Sequence, residues 1–191
     1  MYDKSLVKPR INTIADATSH RLKQAWFEQA HPVCSWKDYI AVAQEWFLNS
    51  KLVDLRGVEH FPCVDVTCGN TQYIESFVLK HGWQGFQILP REYAYYKLMG
   101  KHGVELEQLE PNKPKIVTIP DFFTGGVRDE WQDLLGIAEA RNIDLHLDLA
   151  WIVMARDIEI DLSHPCIKSF AISMSKLNLN WNRVGLRWSR Q

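Results

Sequence analysis

The chain has 191 residues, 46% of them hydrophobic, which suits one substantial core and is short for two. Its 22 Lys and Arg nearly balance 23 Asp and Glu for a formal charge of -1, so no overall field draws it to nucleic acid or to an anionic membrane. No apolar run approaches the roughly 20 residues that span a bilayer, and "MYDKSLVKPRINTIAD" lacks the apolar stretch of a signal peptide, so a soluble, cytoplasmic protein is expected.

Residues 1–60 read as a helical N-terminal segment. "SHRLKQAWFEQA" and "SWKDYIAVAQEWFLNS" both carry apolar residues at three- and four-residue steps, with Trp46 and Phe47 following Ile40 and Ala43 in that rhythm. From about residue 61 to 191 the pattern becomes short apolar runs alternating with amphipathic segments, as in β-α units around a mainly parallel sheet within one compact unit. Seven strands are expected, near "CVDVT", "GFQIL", "VELEQ", "KIVTI", "IDLHLDLA", "IKSFAIS" and "RVGLRW". "TQYIESFVLKHG" reads as a helix with Ile74, Phe77 and Val78 on one face and a Lys80-His81-Gly82 stop, and "VRDEWQDLLGIAEARN" as another, with acids in its first turn. Cys34, Cys63, Cys68 and Cys166 fall in no CxxC pair and no zinc-finger spacing, so reduced, partly buried thiols are expected.

In an open α/β sheet, ligands bind at the carboxyl ends of the strands, so the loops that follow strands carry the candidates. "TCGNTQ" passes from a strand end through Gly69 into a helix whose first N–H groups form an anion site, with Asn70 and Thr71 adding donors; a tight turn is the plainer reading. In "DLHLDLAW", Asp144, His146 and Asp148 share one strand face by the period of two, and polar groups buried there need partners. A metal or a cationic cofactor would each meet that need. "PDFFTGG" is a strand end with two aromatics and two glycines, and "SMSKLNLNWNRVG" sets Lys176 after a buried-strand pattern, with Arg183 seven residues on. A solvated cation at a strand end is the plain reading of Lys176.

Taken together, the order and spacing of these segments resemble the fold-type-I pyridoxal-phosphate enzymes of the aminotransferase class I/II group, over residues 60–190. "TCGNTQ" is similar to that family's phosphate-cup turn, "ILPREYAYY" to its strand-end proline and stacking aromatic, and "PDFFTGGVRDEW" to its Asn-Pro-Thr-Gly segment. "HLDLAW" resembles its Asp-x-x-Tyr segment and "SMSKLNLNWNRVG" its Ser-x-Ser-Lys segment with a downstream Arg.

The resemblance implies a three-layer α/β/α fold around a mainly parallel seven-stranded sheet, with pyridoxal 5'-phosphate as cofactor. It implies that Lys176 forms the internal aldimine and later moves the substrate α-proton, and that Asp148 faces the pyridine nitrogen. Gly69, Asn70, Thr71, Ser173 and Arg183 would hold the phosphate, and Tyr93 would stack on the ring, with Tyr95 or Tyr96 as alternatives. Where the family has an asparagine and a tyrosine on the cofactor's phenolic oxygen, this chain has Phe122 and Trp151, of which only the indole N–H can donate. The sequence ends at Gln191, just after the strand that completes the family's sheet, so the expected likeness is to the large domain alone, without the small domain that orients the substrate carboxylate.

The implied activity is aminotransferase-like, on an amino acid or another primary amine, in a homodimer. A pyridoxal-phosphate lyase or decarboxylase and a non-catalytic relative serving as a binding module are the alternatives. A metal-dependent hydrolase using Asp144, His146 and Asp148 is a third.

Overall fold

The computed structural model describes residues 21, 24, 25, 35–121, 123–176 and 183–191. Of the helix expected over 19–30 only residues 21, 24 and 25 are described, all three helical, and Phe122 and all of "LNLNWN" lie outside the described residues.

Helix α1 (Trp36–Leu48) begins at a capping box in which Ser35 and Asp38 exchange side-chain and backbone hydrogen bonds. It turns Ile40, Ala43 and Phe47 inward, the stripe its apolar spacing anticipates. Strand β1 (Val53–Arg56) follows within the stretch expected to be helical, and β2 (Cys63–Thr67) leads into α2 (Gly69–His81). A short helix α3 (Ala94–Leu98), strand β3 (Lys115–Thr118), helix α4 (Trp131–Ala140), and strands β4 (Leu145–Leu149), β5 (Ile158–Asp161), β6 (Ile167–Ser173) and β7 (Gly185–Ser189) complete the order.

The main sheet has five strands in the order β2-β7-β6-β4-β3. Strands β3, β4 and β6 are mutually parallel, whereas β7 runs antiparallel to both β6 and β2. β1 and β5 pair in parallel as a separate two-stranded sheet. The α/β class stands, but the seven-stranded, mainly parallel sheet is corrected to a five-stranded mixed one.

Two of the expected strands are not strands. Of "GFQIL", Gln87 alone makes a bridge, to Lys115, and within "VELEQ" Leu106–Gln108 is a turn of 3-10 helix. The cause lies at the β3 edge, where the Thr118 amide donates to the Glu92 carboxylate at 3.0 Å instead of to another strand. Glu92 is held there by buried Arg128, whose guanidinium also bonds the Pro90 carbonyl. A side chain thus ends the ladder that an additional strand would extend. Of the three cysteines the structure describes, Cys63 and Cys68 are exposed and only Cys166 is buried, a second correction.

The layers follow from alternation within the strands. Leu145, Leu147 and Leu149 of β4, Phe170 and Ile172 of β6, and Leu186 and Trp188 of β7 form one core with α1 and α4. On the opposite face Tyr73, Ile74 and Phe77 of α2 pack with Phe86, Ile88, Tyr96, Ile116 and Ala171. Other strand positions on that second face are polar, among them His146, Asp148, Ser169, Ser173, Arg187 and Ser189.

Candidate functional site

The carboxyl ends of β4 and β6 and the amino end of α2 meet at a cleft of about 110 Å³. Its lining includes Gly69, Asn70, Thr71, Asp148, Trp151 and Lys176. Tyr93, Ser173 and Arg183 line the same cleft. All nine residues singled out by sequence therefore converge, although they come from parts of the chain as far apart as 69 and 183. Larger hollows lie elsewhere, of about 710 Å³ beside α1, about 420 Å³ beneath α2 and about 310 Å³ between α4 and β5. Convergence of a lysine, a buried carboxylate and a helix amino end identifies the smaller cleft as the candidate site better than size does.

Asp148 ends the polar face of β4 and is almost fully buried. Its Oδ1 accepts from the Asn70 side-chain amide and, at 3.0 Å, from the Ala150 amide, while no described residue donates to Oδ2. Burial pushes this carboxyl up from 3.8 to about 6, against the lowering pull of the Asn70 and Ala150 hydrogen bonds and of Lys176. A buried acid in this state is matched by a cation.

Asn70 ties the carboxylate to the helix, because its amide also donates to the Ala171 carbonyl of β6 at 2.8 Å. Its own Oδ1 is buried without a partner among the described residues. Asn70 was expected to donate to a phosphate; its side-chain N–H groups instead orient Asp148, which leaves its backbone amide for an anion.

Lys176 follows β6 in a turn of 3-10 helix and sets Nζ 4.2 Å from the centre of the Trp151 ring. Burial lowers its pKa, Asp148 raises it and Arg183 lowers it further. Gly69 opens α2 with φ +71, a backbone state that suits glycine. The first turn of a helix has amides without intrahelical acceptors. Around it, Arg183 donates to Thr71 Oγ1 at 2.7 Å and the Ser173 and Ser175 hydroxyls are 2.6 Å apart.

Of the three candidate stacking tyrosines, Tyr93 lines the cleft. Tyr96 is wholly enclosed in the α2-side core and is excluded from that place. The "PDFFTGG" loop stays away from the cleft among its described residues: Asp121 accepts from the amides of Phe123 and Thr124 and lies beside Arg128, and Phe123 points outward. The metal-site face does not converge either. Asp144 pairs with Lys168, His146 bonds Ser169 and Asp148 bonds Asn70, and no group of three potential ligands forms among the described residues.

Sequence reading did not single out Ser175, for which the repeated serine of "SMSK" was the available signal. Nor did it find the Asn70 to Asp148 bond, which joins residues 78 apart and has no local signature.

The residues at the cleft fit a phosphate ester carried on an aromatic cation. The helix amides, Arg183 and the serine pair match the first part, and the undonated oxygen of Asp148 matches the second.

No protein-family model and no curated protein matches the chain. Among solved structures it is similar to a NifS-like protein from Rickettsia africae, with 12% identity and a TM-score of 0.55 over 94% of this chain and 56% of that one. It is also similar to L,L-diaminopimelate aminotransferase from Chlamydomonas reinhardtii, with 12% identity and a TM-score of 0.58 over 90% of this chain and 51% of the other. A third likeness is to substrate-bound BacF from Bacillus subtilis, at 16% identity and a TM-score of 0.50, covering 96% of this chain and 63% of that one. The chain thus spans little more than half the length of these structures. At such identities the likeness shows the fold, that of the aminotransferases and their fold-type-I relatives.

Proposed function

We propose that this chain binds pyridoxal 5'-phosphate in the cleft between α2 and β6 and acts, as an aminotransferase-like protein, on a small molecule bearing an amino group. The observation that carries the reading is the meeting of Lys176, buried Asp148 and the amino end of α2 on one cleft. When bound, the cofactor supplies an electron sink for charge that develops at the substrate carbon.

The chain's own residues divide the remaining work. Lys176 offers an amine whose pKa is lowered by burial, so a larger share of it is neutral and nucleophilic near neutral pH. That amine would be the group that holds the cofactor and would move a proton at the substrate carbon. Asp148, fixed by Asn70 and the Ala150 amide, would hold a cationic ring nitrogen in its protonated form. The α2 amides, Thr71, Ser173 and Arg183 would hold the phosphate, and Tyr93 would pack against the ring. We take the working unit to be a homodimer in the cytoplasm; no helix among the described residues is long and apolar enough to cross a membrane.

Titration of the protein with pyridoxal phosphate tests this. Wild type is expected to develop a saturable visible absorbance band that Lys176→Ala lacks, and a wild type without a band at saturation would refute the reading.

A second reading, a binding module that holds the cofactor without turnover, is favoured by the Lys176 ammonium resting on the Trp151 ring, since a cation–π contact stabilises the charged amine. Addition of amino acids to the loaded protein separates the two. A spectral change with any of them supports the enzyme, and none across a full panel supports the module.

A further inference from the structure

The hollow of about 420 Å³ beneath α2 lies at the opposite, amino-terminal end of β4 and β6, and shares no lining residue with the cleft. Along β6, Ser169 stands about 13 Å from Ser173 at the usual rise of a strand. The volume falls within the roughly 300–1,000 Å³ of small-molecule sites.

Its floor is a buried chain of hydrogen bonds. Ser169 Oγ sits 2.8 Å from the Tyr73 hydroxyl and 2.7 Å from His146 Nδ1, and all three residues are more than nine-tenths buried. His146 is neutral there: burial, then the charges of His81, Lys80 and Lys168, push it down to about 3. Tyr73, Ser76, Phe77 and Lys80 reach the hollow from one face of α2, at three- and four-residue spacing.

The walls are cationic. Lys80, Lys168, Arg187 and Arg190 line the hollow, Lys168 pairing with Asp144 and Arg187 with Asp65. Arg190 is held by the carbonyls of Ile167, Leu162, Ser163 and His164 and stacks on Phe61, with no carboxylate beside it among the described residues. Lys80 has no ion pair among them either. Lys168 and Arg187 are each paired and the Arg190 guanidinium is turned to those carbonyls and to Phe61, so Lys80 is the lining cation left without a partner among the described residues, at the rim of a concave, hydroxyl-floored space.

We propose that this hollow is a second binding site, for a small phosphate ester. A phosphate monoester carries about -1.5 to -2 charge at neutral pH and three acceptor oxygens, which match the ammonium groups of Lys80 and Lys168 and the hydroxyls of Ser189 and the Tyr73–Ser169 pair. The site does not depend on the cofactor reading. It contacts that site through α2, whose residues 69–71 line the cleft and whose residues 73–80 line the hollow, so occupancy of one biases the position of a helix that both use.

The test is a residue-resolved NMR titration with inorganic phosphate at ionic strength held constant with sodium chloride. Saturable shifts are expected at the amides of Tyr73, Ser76, Ser169 and Ser189, weakened about tenfold or more in the double variant Lys80→Ala/Lys168→Ala and retained in Arg183→Ala. Lys80 is exposed and Lys168 is half-buried in a solvent-facing ion pair with Asp144, so a melting curve close to that of the wild type is expected of the double variant. Shifts confined to Gly69, Asn70 and Thr71 and lost in Arg183→Ala would overturn the proposal while supporting a phosphate seat in the cleft. Linear, non-saturating shifts around Tyr73 would reduce the hollow to a solvated basic rim and overturn it as well.

Discussion

On one face of the main sheet, β4 and β6 offer Leu145, Leu147, Leu149, Phe170 and Ile172 to α1 and α4, and every one of these side chains is fully enclosed. On the other, the same two strands offer His146, Asp148, Ser169 and Ser173 to α2. Both faces are buried to a similar degree, so burial alone does not separate structure from function. The first face gains from apolar area removed from water, about 25 cal/mol per Å². The second must satisfy each polar group it encloses, and it does so incompletely: Asn70 Oδ1 has no partner among the described residues, and burial raises the Asp148 carboxyl to about 6. A molecule keeps such a face where a ligand supplies what is missing.

The contrast is sharpest in stability. Leu147→Ala would leave a cavity in the apolar core, and a loss of about 4 kcal/mol is expected in chemical denaturation. A loss under about 1 kcal/mol would mean that this face is loosely packed and that the contrast is overstated.

Asp148→Asn is expected to act in the opposite direction. Because burial raises the folded-state pKa of Asp148 from 3.8 to about 6, the folded chain binds the proton more tightly than the unfolded chain. Stability therefore falls as pH rises from about 4 to about 6, and above that the full penalty, on the order of 3 kcal/mol, is present. Asp148→Asn should raise the melting temperature at pH 7, leave it unchanged below pH about 4, and flatten the slope between; equal stability at all pH would break the comparison. Ser169→Ala, which strands Tyr73 and His146 beneath α2, should cost about 2 kcal/mol by the same denaturation assay.

The smallest effect concerns the ligand. Arg183 is exposed at the cleft mouth, so its contact is partly screened, and Arg183→Ala should weaken pyridoxal-phosphate binding by about 1–2 kcal/mol in equilibrium titration. Arg187, paired with Asp65 and lining the hollow instead, should leave that affinity unchanged when replaced by Ala. Equal losses at both would mean a general electrostatic effect.

How much of this was legible in the sequence follows the same division. The "IDLHLDLA" and "IKSFAIS" strands announce themselves because their apolar positions alternate or run on, and α2 and α4 because theirs recur at helical spacing. "VDLR" and "IEID" escaped notice: four-residue strands with two charged residues each carry too little apolar pattern to stand out. "VELEQ" misled in the other direction, since its alternation serves a loop that lays Val104 and Leu106 against the core while a side chain, Glu92, closes the sheet edge. Most of the cleft residues were recognisable because they sit in short motifs at or just after a strand end, as Asp148, Ser173 and Lys176 do. The partnership of Asn70 with Asp148, and the Tyr73–Ser169–His146 chain, join distant segments through the fold and leave no trace along the sequence.

The central claim is that the polar face is built around Lys176, and the chain contains its own control. Lys115 is wholly buried at the start of β3, its Nζ has no hydrogen-bond partner among the described residues, and burial lowers its pKa too, yet it lines none of the hollows. Borohydride reduction of the pyridoxal-phosphate-loaded protein, followed by peptide mass mapping, reads which lysine reacts. The account predicts one modified peptide, the one containing Lys176, at close to one group per chain. Modification spread over surface lysines, or found at Lys115 with Lys176 untouched, would contradict it.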